Sequence, residues 1–507
     1  MTVRFAHLKL PIFALAVAAL ALLAPGLVQS PVAVAGSAFT VNTTDDVDDA
    51  TCDVTHCSLH EAINAANDNT EPDTIEFDIP SSQCDIDGVC TIGVASFLPG
   101  LSDDGTIIDG YTQPGASQNT NDFGHPINAA IKIEVANAAD VSLGLRVGSA
   151  GNTIRGLAIY DFQVAIRLFS DSAQNNVIEG NFIGVTASGA DTAASGDGIN
   201  VTSTSGALKG PSTNVIGGSD PSSRNLISGN SSFGVFIGSS RDSIVQGNYI
   251  GTDVSGVAPM PNGVGVSIDD SGHGQQSVSQ GHLVAENLIA FNAMQGVDVE
   301  QSDGLVSGIT VTENSIHSNE FGGIRVTGGA NEGIAPPVIT ATGSASGTAC
   351  ANCTVEVFSD DADQGGTFEG STVADGNGDW SFPGAVTGPN ITATATDASG
   401  NTSEFSTPFS VVDLIQGDND CDNDADSVDA LKGLQHVAAI DFSQEPDCPT
   451  LGSALPAALP AGAAPDLFGD VDCDDDVDSV DALKILRSVA AFSVTQNEPC
   501  TDIGDPL

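Results

Sequence analysis

The chain has 507 residues, room for three or four domains at about 150 residues each. Thirteen Lys and Arg against 66 Asp and Glu give a net charge of −53, which excludes a phosphate-neutralising nucleic-acid surface and argues against a polyanion such as pectate unless metal ions bridge it. Hydrophobic residues at 40 % exclude global disorder, and 57 glycines with one Trp and three Tyr fit an acidic, turn-rich extracellular protein.

Residues 1–35 place Arg4 and Lys9 ahead of an apolar run from Pro11 to Val28, and Ala33-Val34-Ala35 precedes Gly36. A charged start, an apolar stretch and a small-residue cleavage site predict a secretory signal peptide. Pro25-Gly26 interrupts the run and leaves it short of a ~20-residue span, so no transmembrane anchor is expected after cleavage. The ten cysteines agree with an oxidising compartment. They fall in five local pairs: Cys52/Cys57, Cys84/Cys90, Cys350/Cys353, Cys421/Cys448 and Cys473/Cys500.

Residues 36–103 read as an N-terminal cap. Phe39-Thr40-Val41 has strand character, and Cys57 to Ala66 has helix character with Ser58 and Glu61 at capping-box spacing. Leu59, Ala62, Ile63 and Ala66 form one apolar stripe, suited to covering the open end of a sheet stack.

Residues 104–335 repeat. The template N-x-I-x-x-N-x-x-x-G-(V/I)-x-(V/I) starts at Asn225, Asn287 and Asn314, and Gly180-Asn181-Phe182-Ile183-Gly184 recurs 67 residues later as Gly247-Asn248-Tyr249-Ile250-Gly251. A unit of 20–30 residues cannot bury its own apolar face, but stacked units share one core, and an Asn at the same place in each rung can build an amide ladder. The prediction is a mainly β chain built on a parallel β-helix.

The cap resembles the CSLREA domain of secreted bacterial β-helix proteins, with His60 where Arg is usual. The resemblance continues through Asp109-Gly110-Tyr111-Thr112-Gln113-Pro114-Gly115-Ala116 and the Gly-Asn-(Phe/Tyr)-Ile-Gly units. It implies a right-handed solenoid and secretion more than any activity. Residues 336–412 alternate as short strands with turn clusters between them, and resemble a bacterial immunoglobulin-like β-sandwich with Trp380 in its core and a role in spacing or weak glycan contact.

Residues 413–507 contain two matching loops. Asp418, Asp420, Asp422, Asp426 and Asp429 occupy positions 1, 3, 5, 9 and 12 of the first, and Asp470, Asp472, Asp474, Asp478 and Asp481 the same positions of the second. Asp424 and Asp476 stand at position 7, where the backbone carbonyl is the ligand. Such spacing wraps hard oxygens around one Ca²⁺, and each loop leads into a predicted helix, over 429–439 and 481–491. The pair resembles the dockerin domain, a small α-helical calcium module that docks to cohesin receptors in polysaccharide-degrading assemblies. Carried over by position, Ser427, Val428, Ser479 and Val480 would recognise a cohesin-like receptor or an intramolecular partner. Three features depart from that pattern: Asn423 and Asp475 replace the loop glycine, an Ala/Pro-rich insert separates the loops, and each repeat has its own cysteine pair.

Aligning rungs on Gly198, Gly234, Gly265, Gly296 and Gly323 predicts two outward columns: Thr202, Gly238, Asp269, Glu300, Thr327, and Asn200, Phe236, Ser267, Asp298, Arg325. Asp269, Asp298 and Glu300 form a carboxylate cluster able to serve as acid and nucleophile or base in glycoside cleavage, or simply as an acidic face with an Asp298–Arg325 ion pair. Two functions stay open. The first is a secreted, dockerin-bearing protein that binds or cleaves extracellular polysaccharide, as a glycosidase rather than a lyase if it cleaves. The second is a non-catalytic surface or matrix adhesin on the same scaffold.

Overall fold

The computed structural model describes residues 36–507 apart from 69, 204–209, 272–276, 342–344, 411–415, 422–423, 441–450, 454–466, 475, 493, 495–502 and 504–507. Residues 1–35, expected to be a signal peptide, lie outside the described residues, as do Asp422, Asn423, Asp475, Cys448 and Cys500. Among the described residues no helix is long and apolar enough to cross a membrane.

Alternating short strands wind into three parallel sheets of nine, eight and seven strands, which the chain visits in turn from Ile107 onward. Along the third sheet, Ile199, Val235, Val266, Val297 and Ile324 are register partners, and so are Val201, Ile237, Ile268, Val299 and Val326. Stacking like on like gives every rung the same inward face, and these columns join one continuous core. The template glycine is fixed by proximity: a Cβ on Gly265 would meet the Gly296 carbonyl oxygen at 2.5 Å and one on Gly234 the Gly265 oxygen at 2.6 Å.

The asparagines form the expected ladders. Asn181, Asn225, Asn248, Asn287 and Asn314 are linked by Nδ2 donating to the next Oδ1 at 2.9–3.3 Å. A second ladder runs Asn230, Asn262, Asn292, Asn319 at 2.9–3.0 Å. Each amide also satisfies backbone groups freed where the chain turns, as Asn287 Nδ2 does for the Val245 and Ala285 carbonyls.

The parallel stacking begins at Ala38, ahead of the expected boundary at 104. Ala38–Val41 pairs in parallel with Thr74–Phe77, which pairs with Ile107–Asp109. The cause is the alternation of Val41, Ile75 and Phe77 into the common core, so the cap contributes rungs of its own. Helix α1 (Leu59–Asn67) has the predicted capping box, and buries Leu59, Ala62, Ile63 and Ala66 on that core.

Residues 338–410 fold into two antiparallel sheets, of three and four strands, around Val355, Val357, Trp380, Phe382, Ile391 and Ala393. These sheets pack on the solenoid's far end. Ile316 and Gly365 exchange both backbone hydrogen bonds at 2.8 Å, and Gln364 Oε1 takes the next place in the second amide ladder, 3.0 Å from Asn319 Nδ2. Glu404 accepts from the Val326 N–H at 2.8 Å. An open stack leaves a row of unpaired backbone groups, and these contacts satisfy them.

The tail carries helices α2 (Ser427–Val437) and α3 (Ser479–Val489) over a small core of Ala430, Val471, Ala482 and Ile485, with Ile503 packed against it. Both helices start two residues before the predicted position, because Asp426 and Asp478 act as N-caps and Asp429 and Asp481 return the capping box. Disulfides join Cys52–Cys57, Cys84–Cys90 and Cys350–Cys353. Cys421 and Cys473 are disulfide-bonded too.

Candidate functional site

The outward face of the third sheet has the register that rung alignment predicts. Thr202, Gly238, Asp269, Glu300 and Thr327 are successive partners, as are Asn200, Phe236, Ser267, Asp298 and Arg325. The second column extends one way to Arg167 and Arg146, which the rung alignment missed because Ala165 replaces the template glycine on one rung and Asp140 replaces the template asparagine ahead of Gly144 on the other. Adjacent rungs lie about 4.8 Å apart, so Asp269 and Glu300 are immediate neighbours. Burial raises the Asp269 carboxyl above its ordinary range, with Asp270 and Glu300 adding like charge and the Ser271 N–H at 2.9 Å opposing.

Asp298 has a different environment. Its side chain is 8 % exposed, and both oxygens are taken by Arg325, Nε to Oδ1 at 2.7 Å and Nη2 to Oδ2 at 2.5 Å. The same guanidinium reaches Glu300 Oε2 at 3.6 Å. A fork so engaged fixes the orientation of the Asp298 carboxylate. Of the three expected carboxylates, Glu300 is exposed and Asp269 is half-buried. Phe236, half-buried, stacks near Phe233 with ring centroids 5.0 Å apart two rungs before Asp298, so the face also carries an apolar platform.

The tail gathers carboxylates more tightly. Ligand oxygens of Asp470, Asp472 and Asp481, all buried, lie within 4.8 Å of one another, as do those of Asp418, Asp420 and Asp429. Asp424, Asp426 and Asp429 make a further group. Asp474 and Asp476 are exposed, and Asp478 donates its side chain to capping by accepting from the Val480 N–H at 2.5 Å. Burial pushes the Asp429 carboxyl up to about 7 and the Asp481 carboxyl up to about 6, against backbone N–H donors that pull both down. The cations nearest are Lys432, 3.8 Å from Asp420, and Lys484, 3.1 Å from Asp472. Three carboxylates against one ammonium leave each loop anionic, and the all-oxygen donor set fits a hard divalent ion such as Ca²⁺.

Both helices expose apolar side chains at the same offsets. Val428, Leu431, Leu434 and Val437 on α2 correspond 52 residues on to Val480, Leu483, Leu486 and Val489 on α3, all between 39 % and 54 % exposed. Ser427 and Ser479 stand exposed at the heads of the two stripes. The i, i+3 spacing that reads as a core face in sequence here faces outward, because the module's small core uses Ala430, Ala482 and Ile485 instead.

No curated protein matches the chain. Among solved structures it is similar to ORF18 of Geobacillus virus E2 at 11 % identity and TM-score 0.29, covering 74 % of this chain and 77 % of that one. An alginate lyase from Paenibacillus sp. str. FPU-7 aligns at 14 % identity and TM-score 0.22, over 57 % and 99 %. The enzymatically active domain of bacteriophage CBA120 tailspike protein 2 aligns at 12 % and 0.20, over 68 % and 66 %. Residues 144–335 match the family described as "Right handed beta helix region", and with the three parallel sheets around them they are a right-handed β-helix.

Proposed function

We propose that the chain is a secreted modular protein that binds extracellular polysaccharide on its β-helix and docks to a receptor protein through a calcium-loaded, dockerin-like tail, with an immunoglobulin-like domain between them. The observation that carries the reading is the pair of apolar stripes on α2 and α3, exposed at identical offsets beside two buried carboxylate loops. A solvated helix face has no need of eight apolar residues in two matching rows, whereas a docking face does. Ca²⁺, when bound, would neutralise the loop carboxylates. Asp429 and Asp481 tie each loop to its helix, since Asp429 Oδ1 accepts from the Asn419 N–H at 2.6 Å and its Oδ2 from the Asp426 N–H at 2.6 Å.

The β-helix reading favours binding over cleavage, because Arg325 engages Asp298 on both oxygens. Cleavage is the second reading, and the raised Asp269 carboxyl beside Glu300 favours it as an acid and base pair. A polysaccharide panel in the presence of Ca²⁺ separates the two. Retention without new reducing ends or unsaturated products, weakened about tenfold by Phe236→Ala, supports binding. Reducing ends that vanish in Glu300→Gln support hydrolysis, and no retention of any glycan leaves the adhesin reading. For the tail, Leu431→Asp combined with Leu483→Asp should abolish receptor capture while the calcium stoichiometry is unchanged. Capture unaffected by the pair would end the docking reading.

A further inference from the structure

The N-terminal cap holds a second constellation of ligand atoms, assembled from three segments that no single motif spans. His56 lies within the loop closed by the Cys52–Cys57 disulfide, and its Nε2 lies 3.1 Å from Asp45 Oδ1. On the other side of the ring, Nδ1 lies 3.0 Å from Glu61 Oε2 and 3.9 Å from Asp49 Oδ2. That Nδ1 is shut off from solvent and has no hydrogen-bond partner. Glu61 is itself fixed, with a side chain 1 % exposed whose oxygens accept from the Asp49 N–H at 2.7 Å and the Ser58 N–H at 2.9 Å. Asp45 is fixed too, accepting from the Val47 N–H at 3.0 Å and the Thr43 hydroxyl at 2.6 Å.

When the ring is neutral, the carboxylate held against Nε2 keeps the single proton there and leaves Nδ1 as a lone pair, the arrangement by which a second carboxylate orients a metal-binding imidazole. The lone pair then faces two carboxylate oxygens, and either the second ring proton or a metal ion relieves that repulsion. We propose that His56 Nδ1, Glu61 Oε2 and Asp49 Oδ2 form a binding site for a divalent transition-metal ion of the zinc class, with Asp45 as the positioning residue. Zinc bonds of 2.0–2.1 Å in a tetrahedron set ligand atoms roughly 3.3 Å apart. The separations of 3.0 and 3.9 Å bracket that value, and Asp49, 57 % exposed, has freedom to close the longer one. One imidazole with two carboxylates selects zinc over calcium, which takes six to eight oxygens. The bound ion would fasten the 45–49 segment and the disulfide loop to the start of α1, tightening the cover over the first rung. It is independent of the tail and of any glycan.

The test uses the full chain with Ca²⁺ in saturating excess, Co²⁺ as the probe and Zn²⁺ as the competitor. The expected result is one equivalent of Co²⁺ giving the strong visible absorption of a four-coordinate site, which zinc displaces. His56→Gln should weaken Zn²⁺ binding at least a hundredfold and Asp49→Asn at least tenfold. His60→Gln, which removes the neighbouring imidazole, should leave it within twofold. If His56→Gln disturbs the cap, the exposed Asp49→Asn still decides. No four-coordinate absorption, or affinity indifferent to Asp49→Asn, means that a proton alone bridges His56 to its carboxylates and overturns the site.

Discussion

In the β-helix each rung buries the same residues as its neighbour, and the amides of Asn225, Asn248 and Asn287 hand hydrogen bonds from one coil to the next. The C-terminal segment stacks no rungs: among its described residues Ala430, Val471, Ala482 and Ile485 form one small core cluster, Leu451 and Phe468 are buried as well, and Asp429, Asp470 and Asp481 are buried too. Repetition lets a solenoid obtain stability from side chains that are individually ordinary. The described helices α2 and α3 bury little apolar surface and stand beside concentrated carboxylates, where, on the function proposed above, a bound cation would take over part of the work of a core.

The contrast can be broken first at the ladder. Asn287 Nδ2 donates to Val245 O, Ala285 O and Asn314 Oδ1, and its Oδ1 accepts from both nitrogens of Asn248. Asn287→Ala should cost about 3–5 kcal/mol, because several buried groups lose their partners together. Denaturant unfolding followed on the β signal measures it, and a loss under 1 kcal/mol would mean that the ladders ornament a core that stands without them.

A smaller effect comes from His282, buried between Ser240 and Ser279, whose ring burial pushes down to about 4. The folded state resists protonation and the unfolded chain does not. The β-helix should therefore hold its full stability above about pH 6.5 and lose up to about 3 kcal/mol as pH falls to 4. Urea midpoints at both pH values check this, with His282→Gln flattening the difference attributable to this group.

Smaller again is Arg325→Ala. It leaves Asp298 buried without its fork, but the guanidinium itself is 37 % exposed, so about 2 kcal/mol is expected. Asp298→Asn should recover part of that loss in the double variant, since no charge is then left behind. A double variant as unstable as the sum of the two singles would remove the ion pair from the account.

Much of this was legible in the residues because the solenoid repeats its signals. Template glycines and asparagines locate rungs, and rung alignment finds the pairing of Asp269 with Glu300 and of Asp298 with Arg325. What escaped was non-repeating. Nothing local in residues 38–41 says that they stack on residues 74–77, and the packing of the antiparallel sheets on the solenoid's far end rests on Gln364 and Glu404 meeting partners more than forty residues away. The His56 constellation was missed because its ligands come from a loop, a disulfide turn and a helix start. In the tail the spacing of the acids was readable, but their double duty was not: Asp426 and Asp478 also begin the helices.

Calcium titration of the full chain, with helical circular dichroism recorded before and after chelation, tests the central contrast most directly. The account predicts two equivalents of Ca²⁺ bound in the tail, falling to one in Asp429→Ala and one in Asp481→Ala. It also predicts that chelation removes the signal of α2 and α3 while the β-sheet signal and its melting transition are unchanged. A helical signal indifferent to chelator, or fewer than two equivalents in the unaltered chain, would contradict it.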